Sequence, residues 1–351
     1  MCKQNFNSKK IFMLLSGYLF FMCQGISQVP LPEKYRQRES SAPPELKATL
    51  ADQRKLIAQQ NLRFNVGYTS VSLKTLRQIT GEVEASSTEV SRVKQAITTR
   101  QLSEDGKNIL KAATCLPGAK SYDPRSTQKL TAIRDQQCGN CWSYSAIAAY
   151  EASYIRVNGA SSRIDCSEQY VVNCCEFGGR SVADCGDCID GGLAYRVFEW
   201  MIDKNKNLEN ESALKDNGSE GSCLRTSPGT KYFATDWGVV DPSGDINKIP
   251  SVTEIKAAIC KYGPVAASVQ VSGMFKDYAN GIYKGFESNY ADPSSNHAIL
   301  IVGWDDDKNA WLIKNSWGTD WGEDGYMWID YKSNNIGRRA SWVLAKKETR
   351  E

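Results

Sequence analysis

Imidazole is almost missing from this chain: its 351 residues hold one histidine, His297. Any chemistry that needs an imidazole base must use it. A strong charge of one sign is also missing. The net charge of +3 is too small to make nucleic acid the main partner. There are no internal repeats or low-complexity tracts. The one long apolar run, Ile11 to Cys23, is too short to span a bilayer comfortably. What is present is a globular composition, 41% hydrophobic and 10% aromatic, enough for a substantial core. Cysteine is plentiful. Eight of the twelve lie between Cys138 and Cys223, which argues for an oxidising compartment.

Residues 1–27 read as a secretory signal. Lys3, Lys9 and Lys10 precede the apolar run, and Gly25-Ile26-Ser27 supplies small residues at the cleavage point. An uncleaved anchor, or a lipid on Cys23, is the alternative. Residues 28–44 carry four prolines and read as a flexible lead-in. A helix is expected over 45–62, a short strand over 64–68, a short helix over 72–81, and weakly helical chain over 86–113. Residues 28–115 carry a net +5 and residues 116–351 a net −5. Opposite signs favour docking of one part on the other, and the attraction would fade as carboxylates protonate. Beyond the Leu116-Pro117-Gly118 join, helices are expected over 167–175, 192–204 and 253–261. Residues 205–249 read as loops, with glycosylation sequons at Asn210 and Asn217. Strands are expected over 265–271, 298–304, 310–315 and 326–330. A helical half followed by a strand-rich half is an α+β architecture.

Chemistry concentrates in Asp135 to Gly159. Cys138-Gly139-Asn140 reads as a tight turn, where glycine allows a backbone angle other residues resist. Cys141 then opens a helix whose apolar residues recur at helical spacing. A sulfur at a helix start sits in the positive field of unpaired N–H groups, which favours thiolate. The thiolate needs a base that later protonates the leaving amine, and His297 is the only candidate. The ring must be held in one orientation and tautomer. Asn315, at a strand end, can accept from it, and Trp317 can cover that bond from water. An oxyanion formed on attack needs donors: the Cys141 N–H and a side-chain amide, Gln136, with Gln137 as the alternative.

Cys138-Gly139-Asn140-Cys141-Trp142 is close to the nucleophile signature of papain-like cysteine peptidases. The stretch Asn315-Ser316-Trp317-Gly318 through Trp321-Gly322 and Gly325-Tyr326 also resembles that family. Cys185-Gly186-Asp187-Cys188-Ile189-Asp190-Gly191-Gly192 resembles its Cys-Asn-Gly-Gly segment, with Ile-Asp inserted. The resemblance covers residues 116–345 well and 45–110 loosely. It implies a papain-like two-subdomain fold, a helical half and a β-barrel-like half with the active-site cleft between them. It implies a signal at 1–27, an inhibitory prosegment at 28–115 and a peptidase domain at 116–351. The implied activity is thiol-dependent endopeptidase hydrolysis by Cys141, His297, Asn315 and Gln136, without metal or cofactor. Gly191, Gly192, Asn296, Ala298 and Trp317 are the implied substrate contacts. The pocket for the residue before the scissile one is expected to use Ala298 and part of residues 334–342, where Asn334 to Arg339 departs from the plant-type pattern. By the same resemblance Cys138 pairs with Cys188 and Cys174 with Cys223. Cys166, Cys175, Cys185 and Cys260 are left without assigned partners, and Cys115 lies at the join.

The implied partners are a peptide or protein substrate and the chain's own prosegment, with no stable membrane partner beyond the signal. A monomer is expected. Secretion, extracellular or periplasmic, is the expected location, with a lysosome-like compartment as the alternative. Two rival functions use the same residues: a catalytically silent peptide binder, and an acyl transferase or transglutaminase. A zinc ribbon through the two Cys-x-x-Cys pairs, 138/141 and 185/188, fits poorly, because those pairs lie too far apart in sequence.

Overall fold

The structure, a computed structural model, describes residues 29–127, 129–159, 164–176, 185–223, 232–285 and 294–348. The expected signal segment lies outside them. The N-terminal part comprises α1 (Glu33–Ser40), α2 (Pro44–Gln59), β1 (Arg63–Val66), α3 (Leu76–Ile79), α4 (Ser87–Thr99) and α5 (Glu104–Ile109). A short strand β2 (Ser121–Tyr122) leads to the central helix α6 (Cys141–Asn158), followed by α7 (Glu168–Cys174) and α8 (Ala194–Asp203). The remainder alternates β3 (Ala234–Val239), α9 (Val252–Tyr262), β4 (Val265–Val269), α10 (Gly273–Lys276), β5 (Tyr278–Tyr283), β6 (His297–Asp305), β7 (Ala310–Lys314), β8 (Tyr326–Asp330) and β9 (Arg338–Ala345).

The strands form one sheet in the order β1-β5-β8-β7-β6-β4-β9-β3, with β2 added against β6. The barrel-like half expected from the resemblance is an open sheet. Its path ends at β1, which pairs with β5, Arg63 opposite Ile282 and Phe64 opposite Gly281, and at β3, which pairs with β9. Helix α6 lies across β4, β6 and β9. It is buried nearly all round, as a helix between two layers must be. One apolar cluster joins α6, α7 and α8 to one face of the sheet. A second covers the opposite face and takes in Leu46, Leu50, Ile57, Phe64 and Val66 from the N-terminal part.

Two segments read as irregular are ordered elements. The lead-in over 28–44 contains α1, held by Tyr35, which is fully buried and donates its hydroxyl to the Gly322 carbonyl at 2.7 Å. Charge-rich helices with little apolar periodicity are found this way only through one anchoring side chain. Similarly, the loop stretch 205–249 contains β3, which pairs with β9, Trp237 opposite Val343.

Four disulfides join described residues: Cys138–Cys188, Cys174–Cys223, Cys175–Cys185 and Cys115–Cys260. The last ties the join to α9 across 145 residues of chain. Cys141 and Cys166 are free and buried. The two Cys-x-x-Cys pairs are thus divided between disulfides and one free thiol, which removes the zinc reading.

Candidate active site

Cys141 is the first residue of α6. The turn before it is clamped by the Cys138–Cys188 bridge and by the Gly139 N–H donating to the Cys188 carbonyl at 3.2 Å. Gly139 is not in the left-handed region. It is needed for space, since a Cβ there would stand 2.8 Å from the Cys188 carbonyl oxygen. The helix is fixed to the sheet by Ser145, whose Oγ donates to the Ile299 carbonyl at 2.7 Å. That bond sets the start of α6 against the start of β6. In consequence the Ala298 N–H reaches the Cys141 Sγ at 3.4 Å, and His297 is the preceding residue.

His297 is fully buried. Its Nε2 and the Asn315 Oδ1 are 2.8 Å apart, and the same oxygen accepts the Ser316 N–H at 2.8 Å. An oxygen that accepts from a backbone donor is fixed in orientation, so it selects the Nε2–H tautomer. Nδ1 is then the basic nitrogen, and it has no hydrogen-bond partner among the described residues. The Trp317 indole stacks on the imidazole, centroids 4.6 Å apart, and its Nε1 donates to the Ile79 carbonyl at 3.0 Å.

Burial governs both ionisations. Desolvation pushes the Cys141 thiol up to about 12, although the N–H groups of Ala298, Gly81 and Trp142 act in the opposite direction. Desolvation likewise lowers His297 to about 4, against the raising effect of Asn315. The helix-start field expected to favour thiolate is therefore outweighed here, and the pair is neutral. The physical reason is coverage: a charged sulfur without water is costly.

Gln136 is buried beside the turn. Its Nε2 donates to the Cys138 carbonyl at 2.7 Å, and its Oε1 accepts from Ser316 Oγ at 2.6 Å. An amide nitrogen carries two hydrogens, so one donor remains. Gln137 is exposed and turns back to the Asp135 carbonyl.

What covers the site is residues 79–84 of the N-terminal part. The Gly81 N–H donates to the Asn296 carbonyl, as does the Glu82 N–H, and it opposes the rise of the thiol pKa. Glu82 forms a parallel bridge with Gly192. The Gly192 N–H donates to the Gly81 carbonyl at 2.7 Å, and the Val83 N–H donates to the Gly192 carbonyl at 3.3 Å. The approach is tight enough that a Cβ on Gly81 would meet the Gly139 oxygen at 1.6 Å, and one on Gly191 the Gly81 oxygen at 2.2 Å. Gly191, Gly192, Asn296, Ala298 and Trp317 thus all border this segment or the sulfur. Within the stretch expected to form the side-chain pocket, Arg338 and Arg339 meet partners that sequence reasoning missed, Glu82, Glu84 and Ser268. The one sequence signal of this cluster was the double arginine at the start of β9.

Comparison with known proteins gives a consistent result. The family model described as papain family cysteine protease matches residues 118–345. Cathepsin L of Sarcophaga peregrina is 32% identical over 249 residues, 68% of each chain. Cathepsin J of Mus musculus is 33% identical over 228 residues, covering 63% of this chain and 62% of its own. The chain thus spans about two thirds of the length of these relatives. Among solved structures, a digestive procathepsin L2 proteinase from Tenebrio molitor larval midgut superposes with a TM-score of 0.66 at 20% identity, over 90% of this chain and 95% of that one. A recombinant stem bromelain precursor gives 0.61 at 20% identity, over 92% and 95%. These likenesses show a shared fold.

Proposed function

The chain belongs to the papain family of cysteine proteases, and from that premise we propose that it is a cysteine endopeptidase made as an inactive precursor, with Cys141 as nucleophile. Removal of residues 79–84 from the cleft readmits water and reverses the desolvation that keeps the thiol neutral. Cys141 then gives its proton to His297 Nδ1, and the sulfur bonds to the substrate carbonyl carbon. The Cys141 N–H and the free Gln136 amide hydrogen hold the oxyanion. His297 protonates the amine as the C–N bond breaks. Water, deprotonated by His297, then cleaves the thioester and regenerates the thiol. Asn315 keeps the ring oriented throughout without adding a charge.

The observation that carries this reading is the Ala298 N–H on the Cys141 sulfur beside a histidine whose far nitrogen is held by Asn315. Residues 28–115 act as the prosegment, occupying the cleft while offering the sulfur an N–H instead of a carbonyl carbon. The substrate is a peptide or protein, and the protein works as a secreted monomer. A thiol-directed peptide epoxide tests the proposal. It should label Cys141 after processing and leave the precursor unlabelled. Equal labelling of the precursor, or none after processing, would remove the reading. Turnover that required an added amine would point to acyl transfer instead.

A further inference from the structure

The recess that receives the Glu82 side chain is built on the catalytic strands. Ser268 in β4 lies opposite Ala298 in β6 and opposite Arg338 in β9. Ala298 is the residue whose N–H touches the nucleophile. Ser268 is fully buried and donates its Oγ to Glu82 Oε1 at 2.5 Å. Arg339 Nη1 stands 3.5 Å from Glu82 Oε2, both side chains being 2% exposed. Arg339 is also held at φ +54°, a region that non-glycine residues rarely enter and that costs backbone energy.

The charge balance of this recess is unusual. Among the described residues, every carboxylate facing Arg338 or Arg339 comes from residues 82–84: Glu82 and Glu84 on Arg339, Glu84 on Arg338. Among its described residues the peptidase domain offers Arg339 the hydroxyls of Ser295 and Ser268 and offers Arg338 the Asn247 amide oxygen. Departure of the prosegment therefore uncovers a guanidinium that keeps, among the described residues, only neutral partners, and a side chain that covers it again does so at least cost when it brings an anion. Geometry says where that anion comes from. Gly81 lies against Gly139, two residues before the nucleophile, and accepts the Gly192 N–H, and the adjacent residue, Glu82, pairs with Gly192. Residues opposite each other on neighbouring strands send their side chains to the same face, whichever way the strand runs. A substrate with its scissile residue at Cys141 and its neighbour paired to Gly192 places that neighbour's side chain in the same recess.

Resting on the peptidase reading, we infer that this recess selects an acidic substrate side chain, Asp or Glu, immediately N-terminal to the residue that carries the scissile carbonyl. Arg339 is the specificity-determining residue and Ser268 its hydrogen-bonding companion. In the precursor Glu84 occupies Arg339 Nη2; with Glu84 gone as well, the guanidinium fork is free to match a substrate carboxylate, and an apolar or basic side chain would leave that charge covered and unpaired.

The full chain, processed, is assayed on fluorogenic peptides that differ only at this position: Glu, Gln, Leu and Arg. Glu is expected to exceed its neutral isostere Gln by about tenfold or more in kcat/KM. Arg339→Gln is expected to bring the Glu-to-Gln ratio to about one. Should that variant not fold, synthetic peptides spanning residues 77–88 decide on wild-type enzyme, and the Glu82→Leu version should inhibit about tenfold more weakly than the native one. A wild-type enzyme that cleaves the Gln or Leu peptide as well as the Glu peptide overturns the inference while leaving the peptidase reading standing. Absence of both hydrolysis and epoxide labelling would remove the peptidase reading itself.

Discussion

The N-terminal part is attached in two physically different ways. Residues 33–66 dock by apolar burial and strand pairing: Leu50 and Val66 are fully buried, β1 extends the sheet along β5, and the Phe64 and Tyr283 rings lie 4.7 Å apart. Residues 79–99 add backbone hydrogen bonds and more charge to the apolar contacts of Ile79, Val90, Val93 and Ile97. Beyond the Glu82–Arg339 recess, Arg92 of α4 bonds Glu199 of α8, and Glu89 receives Arg196 at 3.1 Å and the Tyr195 hydroxyl at 2.9 Å. The first attachment also carries two ion pairs on partly exposed side chains, Lys34–Asp324 and Arg38–Asp320. The second lies over the nucleophile and can respond to pH. One segment therefore holds the covering piece on the body, while the other blocks the chemistry and carries the controls.

The most severe break leaves both attachments intact. Cys141→Ala should abolish peptide hydrolysis, by roughly 10⁴-fold or more, and yield a precursor that stays a single chain on incubation, read by electrophoresis. A third, covalent attachment follows if cleavage falls at the 116–118 join, where Leu116 is 75% exposed. The Cys115–Cys260 bridge then keeps the severed N-terminal part tethered. Processed protein should run as one species without reductant and two with it. Two species in both lanes would place cleavage on the N-terminal side of Cys115.

Within the non-covalent attachments, Leu50→Ala should weaken the apolar one by about 3 kcal/mol, the usual cost of a cavity at a fully buried leucine. Denaturant unfolding of the Cys141→Ala precursor would measure it, and the loss should be the same at pH 5 and pH 7. Glu89→Gln should weaken the charged attachment by about 2 kcal/mol, because a buried partner of Arg92 and Arg196 is removed.

The pH response of the charged attachment has two opposed parts. Burial raises Glu82 to about 7 from its ordinary 4.5. Its contribution to docking is thus complete below about 4.5 and is lost as pH rises through 7. Arg92 and Arg196 hold Glu89 down to about 2, overcoming desolvation. Its contribution is present above about 4.5 and is lost as pH falls toward 2. Glu84 is also lowered, through Arg338 and Arg339 despite partial burial, and acts in the same direction as Glu89. Docking should therefore be tightest near pH 4.5–5 and release should begin below that range. The charge difference between the two parts of the sequence suggested a steady weakening in acid. The rate of epoxide labelling across pH 3–8 separates the two: a monotonic rise from neutral pH would contradict the opposed contributions assigned to Glu82 and Glu89.

Much of the site was readable because its chemistry is local. A cysteine opening a helix, a single histidine entering a buried strand and an asparagine leaving the next one each announce themselves within a few residues. The helix at Cys141–Asn158 and strand β7 follow from periodicity in the same way. Strand β3, helix α1, and the Cys175–Cys185 and Cys115–Cys260 pairs were not readable. Their partners lie far along the chain, and neither composition nor spacing says which distant edge, aromatic slot or sulfur will be nearest.

The sequence by itself determined which side chains are candidates for the proposed chemistry, since a cysteine, a histidine and an asparagine suited to the roles of nucleophile, base and orienting amide are set by residue type and immediate context. Tertiary structure decided their state. Segment 79–84 excludes water from Cys141 and His297 and makes both neutral, and it brings Glu82 to Arg339 across 257 residues of chain. Ionisation and charge pairing depend on what surrounds a group in space, and no local stretch of sequence contains that information.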